Sequence, residues 1–178
     1  ALIAATAKLV IYPTGPGEPI RIDPAPIERL ISAEWFPDGT HLLVCGAEAS
    51  RAPRCYRQNR AGSAPVPLTP EGVLATLAPD GRTLLLALAD GRFQLSSTEG
   101  GPPRPVEGLR LSDRQVGWSR DSQAVYVQPG LQVPATVERV DLATGRRTVV
   151  RQLAPEGLGA LAAIYVTDMA KVKNWDHP

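Results

Sequence analysis

An all-β chain is what this sequence predicts, and three observations carry the prediction. Its 178 residues include 18 prolines and 16 glycines spread at short intervals, which cut the chain into segments too short for long helices. Between those breakers apolar residues alternate, as in Val125-Tyr126-Val127 and Val137-Glu138-Arg139-Val140, with little of the i, i+3, i+4 spacing of a helix. A turn also recurs: Asp38 in FPDGT, Asp80 in APDGR and Asp121 in SRDSQ stand 42 and 41 residues apart. A period near forty that holds four short strands is the size of one β-propeller blade. The predicted architecture is therefore a β-propeller or partial propeller of about four four-stranded antiparallel blades, as one domain over residues 1–178.

The elements follow in order. Residues 1–30 form a partial blade, in which AKLVIYPTGPGEPIRID at 7–23 supplies two strands joined through Gly15 and Gly17. The first full blade, about 31–70, has strands near 31–36, 40–46, 54–59 and 64–68. The second, about 71–112, has them near 73–78, 82–88, 91–97 and 103–107. The third, about 113–156, has them near 115–119, 123–128, 134–141 and 146–152, with LATGRR as a hairpin in which Gly145 is free to take positive φ. Residues 157–178 are a degenerate partial blade and tail, since GALAAIYVTDMAKVKNW has lost the Pro-Asp-Gly turn. An open fan of blades leaves apolar sheet faces uncovered, so the two terminal pieces are expected to join into a composite blade, or a partner or second copy to cover them.

Composition narrows the function. A hydrophobic fraction of 43% with 21% charged residues is an ordinary globular balance. The longest apolar runs, such as LLLALA at 84–89, fall far short of the ~18 residues of a membrane span, so no transmembrane segment is expected. A net charge of +1 and 5% aromatics argue against nucleic acid as a partner. The first residues, ALIAATAKLVIYPTG, lack the basic and long apolar regions of a secretory signal, which leaves the compartment open.

No catalytic constellation is expected. Pro presets φ, Asp accepts backbone amide hydrogens and Gly takes the left-handed position, so Asp38-Gly39, Asp80-Gly81 and Asp121 read as structural turns. His41 is the only plausible base, and Ser119 in GWSRD lacks the second glycine of a nucleophile elbow. No metal-ligand spacing and no phosphate loop occurs, so neither metal nor cofactor is predicted.

Three groups of residues invite more. If the hairpin after the 40–46 strand is centred near Ser50, Cys45 and Cys55 stand opposite each other, and a non-hydrogen-bonded pair brings Cβ atoms to about 4.5–5.5 Å, within reach of a disulfide. The alternative is two reduced, half-buried thiols; a disulfide would favour a periplasmic or other extracytoplasmic location. Arg51, Arg54, Arg57 and Arg60 gather at one hairpin and Arg146, Arg147 and Arg151 at another, as a basic rim for an acidic partner or simply a solvated face. Trp35 and Trp118 precede equivalent turns and read as blade packing. Trp175, with Lys171 and Lys173, makes a tail that docks on a neighbour or frays.

WFPDGTHLLV, APDGRTLLLAL, GWSRDSQAVYV and VERVDLATGRR resemble the WD40-like (PD40) repeats of TolB-type β-propellers. The order YPTGPGEPIRI, WFPDG, PLTPEGV, APDGR, WSRDSQAVYV and RVDLATGRR is similar to the C-terminal propeller region of bacterial serine/threonine kinase-like sensor proteins, over about residues 8–155. The resemblance implies a binding, sensing or scaffolding module, and blades that cannot close well alone point to a non-catalytic interaction or scaffold subunit of a larger assembly, an extrinsic subunit of a membrane complex being one setting. The alternative it implies is a ligand- or peptide-sensing domain. The glycine-rich loop, lysine and Asp-Phe-Gly segment of a kinase domain are not in this sequence.

Overall fold

The computed structural model describes residues 2–3 and 9–154; the predicted partial blade and tail at 157–178, with Trp175, lie outside the described residues. Fifteen strands and no helix make up the described residues. A three-stranded sheet holds β1 (Leu2–Ile3), β2 (Leu9–Ile11) and β3 (Ile20–Ile22). A four-stranded sheet follows, of β4 (Arg29–Trp35), β5 (His41–Ala47), β6 (Arg54–Asn59) and β7 (Val66–Pro67). The next holds β8 (Leu74–Leu77), β9 (Thr83–Ala87), β10 (Phe93–Ser97) and β11 (Arg104–Val106). The last holds β12 (Asp113–Trp118), β13 (Ala124–Pro129), β14 (Ala135–Asp141) and β15 (Arg147–Leu153). Strands neighbour one another in sequence order within every sheet, as chains of hairpins do.

The structure departs from the sequence reading at the sheet ends. Three strands, not two, precede residue 30, because β1 spans two residues and is too short to show alternation. The last strands β7 and β11 run two and three residues, shorter than 64–68 and 103–107. Prolines 65, 67, 103 and 105 remove the amide donors that longer ladders need.

The chain falls into two compact units, Ala1–Asp90 with Gln94–Arg104, and Gly91–Phe93 with Pro105–Pro178. In the first, β5 is buried on both faces, which is why HLLVCGA is nearly continuously apolar. Leu42 and Val44 pack with Leu9, Ile22, Ile27 and Tyr56. Leu43 and Cys45 turn to the other side and pack with Phe36, Cys55, Ala75, Leu77, Leu84 and Leu86. In the second unit Val116, Tyr126 and Val137 form a cluster, and Val125, Val127 and Val140 are also fully buried.

Candidate interaction surface

The recurring turns are built alike. The Gly39 amide donates to the Phe36 carbonyl at 3.1 Å, the Gly81 amide to Ala78 at 2.9 Å, and the Ser122 amide to Ser119 at 3.0 Å. Asp38 Oδ1 accepts the amides of Thr40 and His41 at 2.8 and 2.9 Å, and Asp80 Oδ1 those of Arg82 and Thr83 at the same distances. Asp121 Oδ1 accepts the Gln123 amide at 3.0 Å and the Ser119 hydroxyl at 2.6 Å. Gly39 and Gly81 sit at φ +64° and +69°, and Ser122 takes the same left-handed region at +60°. The Thr40 amide and then the His41 ring hold the Asp38 carboxyl well below its ordinary range. Burial pushes Asp80 up, but the Arg82 amide and Thr83 hydroxyl outweigh it and leave the carboxyl lowered. The Ser119 hydroxyl, then the Gln123 amide, lower Asp121.

Cys45 and Cys55 are direct cross-strand partners on β5 and β6 and are joined by a disulfide, with Cα atoms 4.0 Å apart. Both are buried, and the Ala75 amide of β8 donates to Cys55 Sγ at 3.2 Å. The hairpin beyond them carries a charged network. Glu48 Oε1 accepts from Arg54 Nη2 at 2.9 Å and from the Tyr56 hydroxyl at 2.8 Å. Arg51 Nη1 reaches Glu71 at 2.6 Å.

Four of these arginines are engaged in ion pairs. Arg51 and Arg54 pair with carboxylates of their own hairpin and its surroundings. Arg57 reaches Glu99 at 3.1 Å and lies over the Phe36 ring, 5.1 Å from its centroid. Arg147 is mostly buried: its Nη1 and Nη2 clasp Asp113 at 2.6 and 2.9 Å, its Nε meets Glu138 at 2.5 Å, and Nη1 donates to the Gly108 carbonyl at 2.7 Å. Arg146 is exposed. The acidic partners Asp113 and Glu138 lie 34 and 9 residues from Arg147, and nothing in the sequence marks them as its partners. Glu48 and Glu71 flank the arginine-rich hairpin, and that proximity was the available signal.

Other polar groups are engaged as well. Burial raises the Glu34 carboxyl, whose Oε2 accepts the Leu77 amide at 3.1 Å. Among the described residues no group of three or more His, Cys, Asp or Glu side chains is placed to hold a metal ion. An open groove of about 580 Å³ runs along β2 and β3, lined by Val10, Tyr12, Arg21 and neighbours. Another, of about 470 Å³, lies between the 23–28 loop and Glu48-Ala49.

What does stand exposed in the second unit is apolar. Leu111, Leu131 and Val133 are 79%, 41% and 39% exposed. They lie on the two loops that meet where the Gly130 amide donates to the Ser112 carbonyl at 3.5 Å, at one end of one sheet.

This succession of hairpin sheets has solved counterparts. A putative TolB from Agrobacterium tumefaciens aligns with a TM-score of 0.51 at 22% identity, over 68% of this chain and 46% of that one. TolB from Acinetobacter baumannii aligns with a TM-score of 0.55 at 14% identity, over 82% of this chain and 41% of that one. The fold is a TolB-like β-propeller fold. The chain spans less than half the length of these TolB chains. No family model matches the sequence, and no curated protein does.

Proposed function

We propose that the chain is a non-catalytic protein-interaction module, a scaffold built of propeller blades that works within a larger assembly. The observation that carries this is the apolar group Leu111, Leu131 and Val133, held in the open on neighbouring loops of a folded sheet. Contiguous exposed apolar side chains on a folded protein mark surfaces that meet another protein. The polar residues that the sequence singles out are spent on turns and ion pairs, which fits a binding role better than catalysis. A disulfide favours an extracytoplasmic compartment, where an extrinsic subunit of a membrane complex or the sensor region of a kinase-like protein is a fitting setting.

A photo-crosslinking residue placed at Leu111 or Leu131 in cells tests the reading. It is expected to trap one defined protein, lost when the other leucine of the pair is replaced, Leu131→Ser for a probe at position 111 and Leu111→Ser for a probe at position 131. Crosslinks no richer than those from exposed Arg120, on a turn of the same unit, would overturn it.

The groove on β2 and β3 favours a second reading, a ligand- or peptide-sensing domain, because an aromatic side chain, Tyr12, and a cation, Arg21, both line it.

A further inference from the structure

Cys55 is where the sheet β4–β7 holds the stretch of chain that leads into the next sheet. Its carbonyl accepts the Leu68 and Thr69 amides at 2.9 and 3.3 Å. Its amide donates to the Thr69 hydroxyl at 2.8 Å, and that hydroxyl donates in turn to the Val73 carbonyl at 2.7 Å. Its sulfur accepts the Ala75 amide, and two residues on Glu34 accepts the Leu77 amide. One fully buried residue thus fixes the run from Leu68 to Ala75 through its amide, its carbonyl and its side chain.

The disulfide decides where that sulfur sits. Cys45 and Cys55 share one core cluster with Ala75, Leu77, Leu84 and Leu86 of the next sheet. In a close-packed site, cleaving the bond leaves two thiols that cannot stay at bonding distance, so a sulfur has to move against β8. β8 has a group ready for that change. The Ala75 carbonyl lies 3.6 Å from Cys45 Sγ and 3.9 Å from Cys55 Sγ. A disulfide sulfur has no proton to give it, whereas a thiol has one. The strand therefore meets the oxidised pair with the Ala75 amide and can meet the reduced pair with the Ala75 carbonyl. The sheet β4–β7 has support besides the bond, since six register pairs join β4 to β5 and six join β5 to β6.

We propose that Cys45 and Cys55 form a reversible redox tether: oxidised, they fix residues 68–77 against the sheet β4–β7, and reduced, they release that segment while the sheet stays folded. The reductant is a dithiol. One of its thiolates attacks a cysteine sulfur and expels the other cysteine as a thiolate, which takes up a proton. Its second thiol then displaces the first cysteine and closes the reductant's own disulfide, so two electrons and two protons reach the protein. Because both sulfurs are buried, the attack waits on local opening of the strands around them, which makes the tether slow. The released segment includes the exposed residues Pro70, Glu71 and Gly72, with Glu71 paired to Arg51, so the two redox states present different surfaces on the first unit. The inference stands apart from the apolar surface at Leu111.

The test uses the isotope-labelled 178-residue chain, oxidised and then held in dithiothreitol until thiol titration finds both cysteines free. Reduction is expected to leave a dispersed, folded spectrum and to move the amide signals of residues 68–77 and the carbonyl carbon signal of Ala75. Exchange at the Ala75 and Leu77 amides should quicken by about five-fold or more, the loss of one modest hydrogen bond, while residues 124–141 stay unmoved. Reoxidation should restore every signal. The chain has no other cysteine, so the Cys45→Ser, Cys55→Ser double variant is expected to show the released pattern at 68–77 without dithiothreitol and to ignore its addition. Changes confined to 41–59, an Ala75 carbonyl that does not respond, or loss of the folded spectrum on reduction would each overturn the proposal. So would a disulfide that excess dithiothreitol leaves intact in the native chain.

Discussion

The sheets β4–β7 and β12–β15 have the same four-strand order and are secured by opposite means. In the first, the ties between its own middle strands are local: the disulfide spans ten residues, and Glu48 meets Arg54 and Tyr56 six and eight residues away. In the second, Arg147 at the start of the last strand holds Asp113 at the start of the first, and the Gly108 carbonyl before it, across 34 and 39 residues. A local staple restrains one hairpin and leaves the rest of its sheet to apolar packing. A distant latch joins the two ends of a sheet, so its loss is felt through all four strands.

The largest effect is therefore expected from Arg147→Ala. It strands Asp113, whose side chain is 1% exposed, and Glu138 without a cation, at a cost of about 3–5 kcal/mol. Hydrogen exchange should accelerate across 113–118 and 135–153 and stay unchanged across 41–59; equal acceleration in both sheets would abolish the contrast. Next comes Cys45→Ala with Cys55→Ala. Freeing a loop of that length costs about 2–3 kcal/mol by the chain-entropy account, and exchange should quicken around 41–59 while β12–β15 is unmoved.

The turns should respond less, and in a pH-dependent way. Asp38, Asp80 and Asp121 have folded values lowered from 3.8, so their stabilisation is fully present above about pH 4 and is lost as the pH falls through the lowered values. The native chain should exceed Asp80→Asn by under about 1 kcal/mol at neutral pH, and acid titration of the melting temperature should close the gap. A gap that widens in acid would reverse the assignment. Arg51→Ala should be smallest, within about 0.5 kcal/mol, because Arg51 and its nearer partner Glu71 are both exposed; urea titration decides it.

The fold was legible because its signals are local and periodic. A Pro-Asp-Gly turn between two apolar runs specifies a hairpin by its own backbone chemistry, and the recurrence of its aspartate at 38, 80 and 121 specifies a repeated hairpin sheet without any tertiary knowledge. Counting around Ser50 likewise sets Cys45 against Cys55, since a hairpin register is fixed by its loop. The arginines could not be read this way. Arg51, Arg54, Arg57 and Arg147 look alike in sequence, yet their partners are chosen by side chains that only the folded chain brings near. The exposed apolar tip at Leu111 was equally silent, because its neighbour Leu131 belongs to a different loop.

Ser122 has a consequence for engineering. It holds at φ +60° a conformation that its counterparts Gly39 and Gly81 reach with no side chain in the way. The third turn thus carries a small, removable strain, and Ser122→Gly, which removes only a hydroxymethyl group, should raise the melting temperature of the second unit without touching its exposed apolar loops. A scaffold meant to present those loops to new partners would start there.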